Sequence, residues 1–144
     1  MYKNPVNAIE KELVQQKTTC VNLDYLKRVT KNNAAVIAEM IEVYLEETPR
    51  LLDNMKQAID AENWETLKLI AHSIIPSFST MGIDKKFENK AKKIQEYAIS
   101  LTENNSDTDT KKETIAVIHD LFLKIKSICT QSCEELEKEL LVVK

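Results

Sequence analysis

A chain of 144 residues with a net charge of −3, one glycine and three prolines has room for one domain with a real core, and few of the turn residues that a β-rich fold needs. Lysines and acids are interspersed with no basic block, which argues against a nucleic-acid partner. No apolar run reaches the roughly 18 residues of a membrane span and no secretory stretch opens the chain, so a cytoplasmic protein without membrane insertion is expected.

Residues 1–20 are weakly patterned and read as an N-terminal extension or linker, with Ile9, Leu13 and Val14 spaced for a short amphipathic helix. Residues 21–144 read as one helical bundle. Asn22 is placed to cap a first clear helix bearing Leu23, Leu26 and Val29, and Asn32 and Asn33 break it. Val36, Ile37, Met40, Ile41, Tyr44 and Leu45 carry the next pattern, which Pro49 is expected to interrupt by a kink or a restart. Leu51, Leu52, Met55 and Ile59 follow. Asn63 then caps a helix with Trp64 and Glu65 in its first turn, and Gly82 suits the C′ position that ends it. Asp84 caps a stripe of Phe87, Ala91, Ile94 and Ala98. Residues 102–110, rich in Asn, Asp and Thr, read as a loop, and a last helix is expected from about Lys111 to Leu141. The whole is an all-α, antiparallel four-helix bundle with one or two accessory N-terminal helices.

Cys20, Cys129 and Cys133 are odd in number and lack Cys-x-x-Cys spacing. They read as small buried hydrophobes in a reducing compartment, and no metal site is expected. One glycine cannot build a phosphate-cradling loop, so autonomous kinase activity is not expected.

The window from Ala71 to Ile83 is the informative one. At about 100° per residue, Leu67, Ile70, Ala71, Phe78 and Met81 fall within roughly 60° of Ile74, and Trp64 at about 80°. His72 lies about 160° from Ile74, on the outer strip with Glu65, Lys68, Ile75, Pro76 and Ser79. On geometry alone this is either a nucleophile or a surface residue without a task. His119, beside Ile118 and Asp120, reads as structural or surface.

The stretch from Leu23 to Ile83 resembles a histidine-containing phosphotransfer (HPt) domain. Ala71, His72, Ile74, Ser77 and Gly82 match the family signature in register. The upstream runs 22–26, 41–49 and 60–65 fit as well, with Trp64 eight residues before the histidine. The resemblance implies a phosphorelay intermediate in which His72 takes a phosphoryl group from a receiver-domain aspartate and passes it to another receiver. It implies no cofactor on this chain, with Mg²⁺ on the partner. The partners would be receiver domains of response regulators or of a hybrid sensor histidine kinase, and the module is expected to be a monomer. The alternative is a transfer-deficient module that only binds receivers or serves as a helical scaffold. The sequence departs from the family twice: the lysine three residues after the histidine is Ile75, which supports this alternative, and the following glycine is Pro76, which would either keep bulk low beside the phosphate or merely kink the helix. Lys68, one turn before His72 and about 40° around the axis, is the candidate to neutralise the phosphate, with Lys85, Lys86 or Lys90 as alternatives. Ile75, Pro76 and Ser79 are the expected receiver-docking residues, joined by Lys68.

Overall fold

In the computed structural model, residues 19–103 and 107–143 are described, and these form five helices: α1 Asp24–Val29, α2 Ala34–Asp60, α3 Trp64–Thr80, α4 Lys85–Glu103 and α5 Thr108–Val143. The short helix anticipated around Ile9 and Leu13 lies outside the described residues. The four long helices pack each against its neighbour in the chain, and α5 returns against α2 to close an antiparallel bundle. α1 is the accessory helix.

Three helix ends are built alike. α1 closes with Lys31 N–H on the Arg28 carbonyl and Asn32 N–H on that of Lys27; α2 with Glu62 on Ile59 and Asn63 on Ala58; α3 with Gly82 on Ser79 and Ile83 on Phe78. This paired bonding is the Schellman motif, which requires a left-handed residue at C′. Lys31, Glu62 and Gly82 supply it at φ 56, 54 and 67°. The next helix then starts at once on an asparagine or aspartate: Asn33 accepts from Val36 N–H at 3.2 Å, Asn63 from Thr66 N–H at 3.2 Å, and Asp84 from Lys86 N–H at 2.9 Å. Connections this short make sequential helices antiparallel neighbours.

The core is one cluster running from Leu26 through Ile41, Met55, Leu67, Ile74, Phe78, Ile94, Ile118 and Ile125 to Leu136, all essentially without solvent contact. One buried polar contact crosses it, between Tyr44 Oη and Ser132 Oγ at 2.7 Å. Cys129 is buried beside this pair, with Cys20 and Cys133 half-buried, and all three are free thiols. Burial pushes the thiols of Cys20 and Cys129 up to about 12.

Three expectations from sequence need correction. Helix α2 runs without a break through Pro49. The proline removes one backbone bond at a cost of about 3 kcal/mol, yet the stripe of Tyr44, Thr48, Leu52 and Met55 continues in helical register across it and is buried, and that burial wins. The loop anticipated at 102–110 is helical at both its ends, because α4 reaches Glu103 and α5 starts at Thr108, where Asp107 Oδ1 accepts from Thr110 N–H at 2.7 Å. Asn22 does not occupy the cap position of α1, which falls at Leu23; its side chain instead accepts from Asp24 N–H at 2.8 Å.

Ahead of α1, residues 20–22 are bolted across the bundle. The Glu135 carboxylate on α5 accepts from Cys20 N–H at 2.8 and 2.9 Å and from Val21 N–H at 3.0 Å, while Asn22 N–H donates to the Met81 carbonyl at 2.9 Å. The segment thus joins α5 to the turn that follows α3.

Candidate functional site

Helix α3 buries Leu67, Ile70, Ala71, Ile74 and Phe78, and Trp64 is half-buried. The opposite strip carries His72, which is exposed. It makes no hydrogen bond or ion pair among the described residues. Position 76, one turn on, is the proline inside the helix, so the His72 carbonyl has no amide there to accept from. Helical side chains lean toward the N-terminus, which carries the imidazole over the turn that holds Lys68 and Leu69.

Lys68 is already engaged. Its Nζ lies 2.6 Å from Glu65 Oε1, and its side chain is 29 % exposed against 63 % for Glu65. Glu65 stands in the first turn of α3, where the helix dipole favours an anion. A second polar chain lies beyond His72 toward the C-terminus. Ser79 Oγ donates to Glu88 Oε1 at 3.0 Å, and Glu88 Oε2 pairs with Lys92 Nζ at 3.0 Å. The Lys92 ammonium, then the Ser79 hydroxyl, hold the Glu88 carboxyl below its usual value.

The Ser79–Glu88 bond also sets the register between antiparallel α3 and α4. Two turns back along α3 and two turns on along α4 bring His72 level with Gln95, which is half-buried on the α3 side. The same register puts Lys85 and Lys86 near the C-terminal end of α3, about 13 Å or more along the axis from His72. The ammoniums of Lys86 and Lys90 lie 5.3 and 5.9 Å from the Phe87 ring centroid. Of the lysines considered from sequence, Lys68 is therefore the one brought within a turn of the histidine.

The apolar surroundings differ from the sequence reading in two residues. Ile75 is half-buried and packs against the core, while Pro76 and Ser79 are exposed. Leu69, one turn before His72 on the side away from Ile75, is 60 % exposed and was not singled out. Its signal was available, since it is a large apolar residue outside the core arc of the helix. Gln95 carried no such signal, because only the inter-helix register reveals it. His119 is exposed on α5.

Gly82 ends α3 with two demands at once. Its φ of 67° is left-handed, and a Cβ on it would collide with the Asn22 carbonyl. The Asn22–Met81 bond draws that segment close, so the site helix, the turn and the N-terminal strap form one unit.

Among the described residues no group of His, Cys, Asp and Glu is arranged to hold a metal, and no helix is long and apolar enough to cross a membrane. A family model described as Hpt domain matches residues 39–121, more than half of the chain and spanning α3 and the residues around His72. No curated protein and no solved structure matches.

Proposed function

Because the chain belongs to the Hpt domain family, whose members carry phosphoryl groups in two-component signalling rather than acting as kinases, we propose that His72 is the residue that carries the group here. The observation that bears the weight is an imidazole exposed on the outer strip of a packed helix with no bonding partner among the described residues. Such a ring is open to an acyl phosphate on a visiting aspartate.

The chemistry needs little else from this chain. A neutral imidazole nitrogen offers a lone pair without a base. As the P–N bond forms, the P–O bond to the aspartate breaks and its carboxylate leaves. The positive charge that develops on the ring is relieved by losing the proton of the other nitrogen to water. The reverse steps pass the group to a second carboxylate. Positioning and charge neutralisation supply most of the rate in phosphoryl transfer, and Mg²⁺ held by the receiver would supply much of the latter. Among the described residues, Lys68, one helical turn before His72, would be the cation to assist. Leu69 and Pro76, with Ser79 and the exposed edge of Ile75, form the surface on which the receiver lands.

A second reading rests on one set of observations. Positions 75 and 76 are apolar and Lys68 is paired with Glu65, which suits a module that binds receivers without transfer. The two are separated by mixing the protein with a receiver domain charged by acetyl phosphate and following acid-labile, base-stable label. The carrier reading expects label on the parent protein and none on His72→Gln. A receiver complex that forms without label would decide for binding alone.

A further inference from the structure

The reading of His72 as carrier leaves open how its nearest cation comes to face away from it. We propose that Glu65 is a positioning residue that holds Lys68 back from His72 until a phosphoryl group competes for the ammonium. This inference rests on that reading and deepens it.

Lys68 has two anions to choose between. In the resting protein it takes Glu65, at 2.6 Å. Its stem lies low on the helix, 29 % exposed, so the ammonium swings about a partly fixed base. The pairing draws a cation toward the first turn of α3, the end of the helix dipole that disfavours it, and the Glu65 charge is what makes the position acceptable. His72 stands one turn after Lys68, about 40° around the axis, and its ring leans back over that same turn. A phosphoryl group there carries up to about two negative charges against one on Glu65. The ammonium then moves from the carboxylate to the phosphoryl oxygens by rotation of its own side chain.

Lys68 is the one lysine or arginine on α3. Positions 75 and 76, from which a side chain would lean back over His72, hold Ile75 and Pro76. Lys92 on α4 stands level with Ile75 in the Ser79–Glu88 register, but its ammonium is bound to Glu88 at 3.0 Å, toward Ser79 and away from the direction in which the His72 ring leans. Glu65 therefore sets how much of the neutralising charge is free, and with it the standing fraction of phosphorylated protein.

The test uses the full chain, a receiver domain and excess acetyl phosphate, with the phosphohistidine fraction read by phosphorus NMR and by acid-labile label. Glu65→Gln should raise the ratio of phosphorylated to free protein about two- to fivefold, the range in which exposed ion pairs act. Lys68→Met should lower it, and Glu65→Gln should then have no effect on top of Lys68→Met. Glu65→Asp, which keeps the charge, should return the ratio toward the parent. Both positions are on the surface strip, and unchanged circular dichroism checks the fold. An unchanged ratio in Glu65→Gln with a labelled parent overturns the proposal. So does an equal rise in the Lys68→Met background, since Glu65 would then act without Lys68. A parent protein that takes no label at all overturns the carrier reading itself, and that arm is read without any variant.

Discussion

Replacing Gly82 by alanine should cost about 2–3 kcal/mol, and the structure says where each part comes from. Left-handed φ costs a residue with a Cβ about 1–2 kcal/mol. That alone is tolerable in this fold, since Lys31 and Glu62 adopt φ 56 and 54° at the ends of α1 and α2 in the same bonding pattern. What distinguishes Gly82 is the Asn22 carbonyl, which lies where the Cβ would be. Relief requires the strap to back away, which breaks the 2.9 Å bond from Asn22 N–H to the Met81 carbonyl, worth about 1 kcal/mol. For a domain of this size the sum lowers Tm by about 6–12 °C. Thermal unfolding followed at 222 nm measures it. Gly82→Asn divides the two causes, because asparagine accepts left-handed φ but still brings a Cβ. It should retain the collision and remain clearly below the parent. A Tm for Gly82→Ala within about 2 °C of the parent would refute the whole reasoning, and a parent-like Gly82→Asn would refute the collision.

The remaining predictions concern the site and the core. Leu69→Asp should weaken receiver binding about tenfold, by removing an exposed leucine worth about 1.5 kcal/mol when covered, with no change in Tm; calorimetric titration giving the parent affinity would remove Leu69 from the docking surface. Ile75→Lys places an ammonium that leans over His72 and should raise the phosphorylated-to-free ratio about two- to fivefold in the acetyl phosphate assay; a drop would mean that the half-buried Ile75 contact matters more than charge. Stability should fall in alkali. The folded thiol of Cys129, buried and near Cys133, is pushed up to about 12, whereas an unfolded cysteine titrates near 8.5. Its contribution is complete below about pH 8.5 and drains as pH rises toward 12. Tyr44, raised above the ordinary tyrosine range chiefly by burial, adds to the loss above about pH 10. Urea midpoints between pH 8.5 and 10.5 should fall more gently in Cys129→Ala than in the parent, and parallel slopes would show that the thiol is not the cause.

What could be read in advance follows from what is local. The apolar stripe of α3, its Asn63 cap and its Gly82 terminus depend on residues within a few turns of one another, so periodicity and capping rules reach them. Pro49 misled because the cost of one missing backbone bond is local while the burial of Thr48, Leu52 and Met55 that offsets it is not. The polar run near residue 105 misled in the other direction, since α4 reaches Glu103 and Asp107 caps the start of α5, so helix covers more of this run than its composition suggests. At the site, the outer strip was visible on one helix. The pairing of Ser79 with Glu88 and the level of Gln95 needed the register of α3 against α4, which no single-helix pattern contains. Leu69 was visible in principle, because a large apolar residue outside the core arc asks for a partner.

Ile75, where the resemblance to the family implies a lysine, need not count against the proposed carrier role. A relay intermediate works only if its phosphorylated form lies close in free energy to those of its donor and acceptor, because a deep well on either side stops the flow. A permanent ammonium over the ring would deepen the well at His72 by the order of an exposed ion pair, about 0.2–1 kcal/mol. Here the nearby cation is shared with Glu65 at 2.6 Å, so part of that stabilisation is spent on releasing it. On the proposed carrier reading the phosphohistidine would then be less favoured at equilibrium, and the group would pass more readily to the next carboxylate. On this account Ile75 and the Glu65–Lys68 pair belong together: the first removes a fixed charge and the second supplies a conditional one. The combination predicts that Ile75→Lys and Glu65→Gln each trap phosphate on this protein and each slow its delivery to a second receiver. A variant that gained label and also delivered it faster would contradict the shared cause.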